Sequence, residues 1–215
     1  LSRRLRERGY RAFRPYLDSL QTASDTEWQE FINCLTTNLT SFFREDHHFT
    51  ALVDDLRARA SGGIRIWCSA ASTGEEPYSI AMTVTEALGA NNGTRIIASD
   101  IDTNVLAKAG SGVYPLDSRG LSPERLRQHF LRGKGAQSGL IRVKPELARM
   151  IEFRVQNLMD ARWSLGDPFD IVFTGDVARR AVVDEGLCEQ LLTEYRVFLH
   201  ECLQTAGLVV APNGW

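Results

Sequence analysis

Between residues 1 and 60 the apolar positions recur at helical spacing, and no segment alternates as a strand does. In "SDTEWQEFINCLTTN", Trp28, Phe31, Ile32 and Leu35 share one helical face, and Ser24 followed three residues later by Glu27 is a capping-box signature for the start. Before it, "RRLRERGYRAFRPYLDSLQ" reads as two short helices broken at Gly9 and Pro15. From Ile64 the pattern changes. "IRIWC" is a short apolar run, followed by small residues and then the amphipathic "EPYSIAMTVTEALG". A turn at "NNG" leads to the run "RIIAS", to Asp100, and to a short helix "DTNVLAKAG" ended by Gly110. Further on, "FDIVFT" reads as a buried strand, "CEQLLTEYRVFLHECLQ" as a long helix and "GLVVAP" as another strand. Strands alternating with helices predict a parallel sheet in a doubly wound α/β fold.

Between these elements lie two more strand-like runs, "LIRVK" and "IEFRVQN", joined by "PELARM". Paired as a hairpin, they predict a β-insertion at about 137–156 in the α/β order; a helix over "PELARMIEF" is the competing reading. The expected division is a helical domain with its linker over 1–60 and an α/β domain over 61–215.

Composition narrows the class of function. The chain has 215 residues, 43% hydrophobic and 24% charged, with net charge −2. That suffices for a core and gives no bulk attraction to nucleic acid or membranes. No apolar run approaches the roughly 18 to 20 residues needed to cross a bilayer. The arginine-rich opening "LSRRLRERGYRAFRPYL" has no apolar signal core behind it. The four cysteines, Cys34, Cys68, Cys188 and Cys202, share no short spacing, which argues against zinc pairing or a disulfide framework. Reduced thiols in a cytoplasm are the expectation. A first residue that is Leu rather than Met suggests a fragment.

The candidate chemistry starts at "CSAASTGEEPYSIAM", where a strand turns into a helix. Ligands of parallel sheets sit at the carboxyl ends of strands. A phosphate site there wants a glycine-rich loop and often a lysine. This loop has one glycine, Gly74, no lysine, and Glu75 and Glu76 at the head of the helix. Two acids repel pyrophosphate and suit a cation or amino group, as well as the helix dipole. Asp100 ends the second strand, where nucleoside-binding folds grip a ribose diol; an acid there can also cap the next helix. Together they specify a ribose-bearing, positively charged ligand without phosphate, and S-adenosylmethionine answers that description. Arg44, flanked by phenylalanines in "NLTSFFREDHHF", has the guanidinium geometry to hold a carboxylate by two parallel hydrogen bonds. The neighbouring His47 and His48 point to different faces of a helix, which argues against a shared metal.

Taken together, "NLTSFFRE", "SAASTGEEPYSIAM", "ASDID", "HFLRGKGAQSGLIRVKPEL" and "VQNLMD" resemble the chemotaxis receptor methyltransferases of the CheR type. The resemblance implies a small N-terminal helical domain and a Rossmann-like methyltransferase domain with a small antiparallel β-insertion. It implies methyl transfer from S-adenosyl-L-methionine, leaving S-adenosyl-L-homocysteine, to glutamates on the cytoplasmic helices of chemoreceptors. Such a protein is a cytoplasmic monomer, peripheral to the membrane only through the receptor. By resemblance the cofactor contacts are Asn38, Thr40, Arg44, Glu76, Asp100, Asn157 and Leu158, with Asp176 at a further contact position. Arg44 matches the arginine near the transferred methyl, the family's candidate for orienting the substrate carboxylate. A glutamate is ionised near neutral pH, so the nucleophile needs no general base; the protein supplies alignment and close approach. Arg3, Arg4, Arg6, Arg8, Arg11 and Arg14 either steer acidic receptor helices or form a solvated basic face.

After "FDIVF" the family pattern is Cys-Arg-Asn-Val-Met-Ile-Tyr-Phe, whereas this chain has "TGDVARRA" at 174–181. Gly175 and Asp176 replace the arginine–asparagine pair, and Arg180 replaces the tyrosine. An amide exchanged for a carboxylate loses its donors. The final "PNGW" also stops short of the family's last hairpin. The departure at 174–181 favours a second reading, a cofactor-binding regulatory or docking protein without transfer activity. A nicotinamide-dependent dehydrogenase is disfavoured, because its glycine-rich pyrophosphate turn is missing.

Overall fold

The structure is a computed structural model that describes residues 1–36, 38–59, 63–160, 163, 165–166 and 169–174, with the backbone of 178–180. The long helix and final strand expected after residue 180, and Asp176, lie outside the described residues. Three helices open the chain: α1 (Ser2–Glu7), α2 (Phe13–Leu20) and α3 (Asp25–Leu35). Gly9, at φ 76°, makes the break after α1. Pro15 breaks nothing: it sits in the first turn of α2, where a missing N–H costs no intrahelical bond. Ser24 caps α3, its side chain accepting from the Glu27 N–H. The second arm of the capping box does not form. The buried Glu27 carboxylate instead accepts from Arg4 (Nη2 2.6 Å, Nε 3.2 Å), from Tyr16 Oη at 2.8 Å and from Arg8. This ties α1 to α3 above a small core of Tyr16, Leu20 and Phe31.

The fourth helix, α4 (Asp46–Ala58), belongs elsewhere. Its Phe49, Leu52 and Leu56 join the core beneath the sheet, so the helical unit with a core of its own is α1–α3 rather than all of 1–60. The chain then runs through β1 (Arg65–Cys68), α5 (Glu75–Leu88), β2 (Arg95–Asp100) and α6 (Thr103–Ser111). Ile66, Trp67 and Cys68 are fully buried, as expected of a central strand covered on both faces. The α6 helix runs through Gly110 to Gly112, whose left-handed φ of 61° ends it.

Next come β3 (Val113–Pro115), α7 (Pro123–His129), β4 (Phe130–Arg132), β5 (Leu140–Val143), α8 (Pro145–Ala148), β6 (Ile151–Val155), β7 (Ile171–Phe173) and β8 (Ala178–Arg180). The main sheet has the order β6-β2-β1-β7-β8, parallel except for β8. A separate antiparallel sheet has the order β3-β5-β4. The expected hairpin over 137–156 is therefore corrected. "LIRVK" pairs with β3 and β4 in the insertion, while "IEFRV" pairs in parallel with β2, from Ile96↔Ile151 to Asp100↔Val155. The single turn of α8 carries the chain from one sheet to the other, burying Leu147 in the main core. Alternation tells which face of a strand is buried, not which strand lies beside it. The insertion docks through Tyr114 and Phe130, whose rings meet Phe42 edge-on at 5.0 and 5.8 Å.

Candidate functional site

Parallel pairing brings the carboxyl ends of β6, β2, β1 and β7 to one edge. Ser69 N–H donates to Phe173 O, Ala71 N–H to Ser99 O and Gln156 N–H to Asp100 O, at 2.8 to 3.0 Å. From β1 the chain proceeds outward to β2 and β6 on one side and later returns to β7 on the other. That reversal is where an open α/β sheet forms a ligand crevice. The loop after β1 crosses it.

Two residues of that loop have left-handed backbone: Ser72 at φ 46° and Gly74 at φ 97°. Gly74 is required by packing, because a Cβ there would lie 2.6 Å from Tyr114 Oη and 2.9 Å from Ala109 Cβ. Tyr114 Oη also donates to Thr73 O at 2.8 Å, so the insertion holds the loop from beneath. No lysine or arginine stands in 69–74, and the loop offers no counter-charge to a phosphate.

The four acids at this edge divide their work. Asp102, 2% exposed, caps α6 by accepting from the Asn104 and Val105 N–H groups through Oδ1. Asp100 is thereby released from capping. It accepts the Ser72 N–H through Oδ2 (2.8 Å) and the Asp102 N–H through Oδ1 (3.0 Å). These bonds leave acceptor capacity on a carboxylate for a diol. Burial pushes the Asp100 carboxyl above its usual range, and the backbone N–H groups of Asp102, Ser72 and Ile101 only partly oppose it. Glu75 is occupied by Thr73 Oγ1 at 2.6 Å. Glu76, in the first turn of α5, accepts from the Cys68 thiol at 3.0 Å. Burial, then the charge of Glu76, drives the Cys68 thiol well up, so it serves as a proton donor that orients Glu76.

The segment after α3 closes over this edge. Asn38 Nδ2 donates to Asp102 Oδ2 at 3.0 Å, and Ser72 Oγ donates to Asn38 Oδ1 at 3.5 Å. Asn38 and Asp100 are thus joined through Ser72. Thr40 is half-buried two residues on. Arg44 is exposed and donates to Leu39 O at 2.9 Å. It stands between Phe43 (φ 51°) and Glu45 (φ 55°), two non-glycine residues in left-handed conformation. Such strain costs roughly 1 to 3 kcal/mol per residue and persists only where surroundings enforce it. Here Phe43 N–H bonds Ser79 Oγ at 3.0 Å, and the Arg125 guanidinium lies 3.6 Å over the Phe43 ring. On the other side, Asn157 follows β6, its Oδ1 accepting the Met159 N–H at 2.9 Å. The Leu158 side chain is buried with Trp67, Ile97 and Phe169, leaving only its main chain for a ligand.

The structure therefore gathers Asn38, Asp100 and Asn157 at one edge with Glu76 on the adjoining turn. Cys68, Ser72 and Asp102 support them and were not singled out by the sequence; for Asp102 the signal was an acid two residues before "NV", at a helix start. The His47 and His48 rings, expected on different helix faces, lie with centroids 4.1 Å apart because the two residues open α4, and no cluster of three potential metal ligands occurs among the described residues. Of the N-terminal arginines, Arg3, Arg4, Arg8 and Arg14 are in ion pairs within the helical unit. A cleft of about 330 Å³ lined by Arg65, Arg95, Arg149 and Arg154 opens at the amino ends of the strands, away from this site.

The fold and this edge define a Rossmann-like α/β domain shaped for a ribose-bearing, cationic ligand rather than a phosphorylated one. Residues 38–181 match the family model described as CheR methyltransferase, SAM binding domain, and the chain belongs to that family. Its cofactor is S-adenosylmethionine, which the carboxylates of Asp100 and Glu76 and the phosphate-averse loop fit. A chemotaxis protein methyltransferase of Salmonella typhimurium is 50% identical over 180 residues, covering 82% of this chain and 62% of that protein. A chemotaxis protein methyltransferase of Escherichia coli (49% over 180 residues; 82% and 63%) and chemotaxis protein methyltransferase 2 of Pseudomonas aeruginosa (48% over 181 residues; 82% and 64%) are similarly related. The chain spans a little under two thirds of the length of these curated relatives.

Proposed function

We propose that this protein transfers the methyl group of S-adenosylmethionine to glutamate side chains on the cytoplasmic helices of chemoreceptors, in the cytoplasm. The observation that carries the reading is the division of labour at the end of β2: Asp102 caps α6, and Asp100 keeps acceptor capacity at the crevice. Asp100 receives the ribose hydroxyls. Glu76 faces the cationic end of the ligand, and Asn38, Thr40, Asn157 and the Leu158 main chain complete its enclosure. The bound cofactor supplies a methyl group already activated by a sulfonium.

The accepting glutamate is ionised near neutrality, so no base is required of the protein. Arg44 orients that carboxylate through its fork of donors. Holding the carboxylate in line is the proximity contribution, and its loss through a 1 Å displacement costs on the order of 100-fold. The test is binding of S-adenosylhomocysteine to the purified chain by calorimetry, followed by transfer of labelled methyl to receptor-bearing membranes in a base-labile form. Binding with labelling supports the reading. Binding without labelling supports the non-transferring alternative suggested by "TGDVARRA", and no binding removes both.

A further inference from the structure

We infer that Asp102 is a positioning residue that clamps Thr36 and the segment 38–44 onto the cofactor edge and couples the N-terminal helical unit to it. The inference rests on the methyl-transfer reading for its kinetic consequence only; the clamp itself stands on geometry. Asp102 is 2% exposed and uses both oxygens. Oδ1 accepts from Asn104 and Val105 N–H at 2.9 and 3.3 Å, and Oδ2 accepts from Thr36 Oγ1 at 2.7 Å and Asn38 Nδ2 at 3.0 Å. One carboxylate thus joins a helix N-terminus to a chain segment more than 60 residues earlier.

The contact is reinforced on either side. Gln29 Nε2 donates to Ile101 O at 2.9 Å, Asn33 Nδ2 to Thr103 Oγ1 at 3.1 Å, and Thr103 N–H returns to Asn33 Oδ1 at 3.3 Å. Every residue from Asp100 to Thr103 is therefore held, and 101–103 are held by α3 or the segment that follows it. A cap alone needs one oxygen; the second is spent on Thr36 and Asn38. Asn38 in turn accepts from Ser72 Oγ, on the loop whose N–H bonds Asp100. Displacing Asn38 frees the chain that leads to Arg44, so this carboxylate links the helical unit to the site.

Asp102→Asn separates the two roles. Asparagine caps helices as well as aspartate, and its carbonyl keeps the bonds from Asn104 and Val105. Its NH2 then opposes Asn38 Nδ2, donor against donor. The experiment uses the whole chain without cofactor and follows amide hydrogen exchange. Exchange at 38–44 is expected to rise about 10-fold or more, with β1 and α6 unchanged. Thr36→Val, which removes one donor to the same oxygen, should reproduce the pattern more weakly. Unchanged exchange at 38–44, or an equal rise in α6, overturns the inference. In methyl transfer, Asp102→Asn and Asn38→Ala should each lower kcat about 10-fold, and the double variant should be no worse than the worse single. Additive losses also overturn it. A parent chain that neither binds S-adenosylhomocysteine nor transfers methyl sinks the proposed function, while the exchange result still decides the clamp.

Discussion

Asp100 and Arg44 are asked to do different things, and single substitutions separate them. Asp100→Ala removes acceptors that a ribose diol would use. A hydrogen bond to a charged group is worth roughly 1.5 to 3 kcal/mol, so the affinity for S-adenosylhomocysteine should weaken about 10- to 100-fold in calorimetry. Because burial raises the Asp100 pKa, its ionised form is lost sooner than that of an ordinary carboxyl as pH falls. Parent affinity should therefore begin to decline at a higher pH than an ordinary aspartate, of pKa 3.8, would dictate, and the decline should be absent in Asp100→Asn. Arg44→Ala should lower kcat on the order of 100-fold while changing cofactor affinity less than about fivefold, measured side by side. Equal losses would make Arg44 a cofactor contact alone. The sequence nominated both residues, Asp100 from its place at a strand end and Arg44 from its flanking phenylalanines and a resemblance, and these substitutions test them. Asp102 was not singled out: its cap leaves a local signal, but its bonds to Thr36 and Asn38 join a segment more than 60 residues away and leave none.

At the scale of elements, the loop after β1 is set by what lies under it. Gly74→Ala would press a methyl group against Tyr114 Oη and Ala109 while holding alanine at φ 97°. Overpacking and left-handed strain together predict a loss of about 2 to 4 kcal/mol in urea denaturation. A substitution cost below about 1 kcal/mol would show that the insertion does not hold this loop. Some helices and strands were readable from period and punctuation: Ser24 caps α3, and the apolar runs at Ile64, Arg95 and Phe169 each contain a strand. The three-residue strands β3 and β4 were not, being too short to show a period. The fate of "LIRVK" and "IEFRV" went astray for a related reason, since two similar alternating runs are indistinguishable until their neighbours are known.

For the molecule as a whole, the insertion, α5 and the Arg44 turn meet at one polar cluster. Arg125 makes two bonds to Glu86 at 2.9 and 3.0 Å while lying over Phe43. His129 Nε2 lies 3.0 Å from Glu86 Oε1, and Lys144 adds a further positive charge nearby. Burial lowers the His129 pKa from 6.5, more than Glu86 raises it, with Arg125 and Lys144 also lowering it. Burial pushes Glu86 up, but Arg125 and then His129 outweigh it and hold the carboxyl below 4.5. A folded pKa below the unfolded one means that the unfolded chain takes the proton first. Stability from His129 is thus intact above pH 6.5 and erodes as pH falls below it, with Glu86 adding its loss below pH 4.5. The urea midpoint should fall from pH 7 to pH 5, and His129→Gln should flatten that fall.

By itself the sequence determined several local matters: that the segment before residue 60 is helical, that the runs at Ile64, Arg95 and Phe169 contain strands, and that an acid ends the second strand after a loop without a phosphate cradle. These follow from periodicity, capping chemistry and turn residues, which act over a few positions. Only the tertiary structure decided that α4 joins the sheet core, that "IEFRV" lies beside β2, and that Asp102 also binds Thr36 and Asn38. Those outcomes depend on contacts between residues tens of positions apart, where burial and hydrogen-bond geometry choose among partners that the local pattern leaves equivalent.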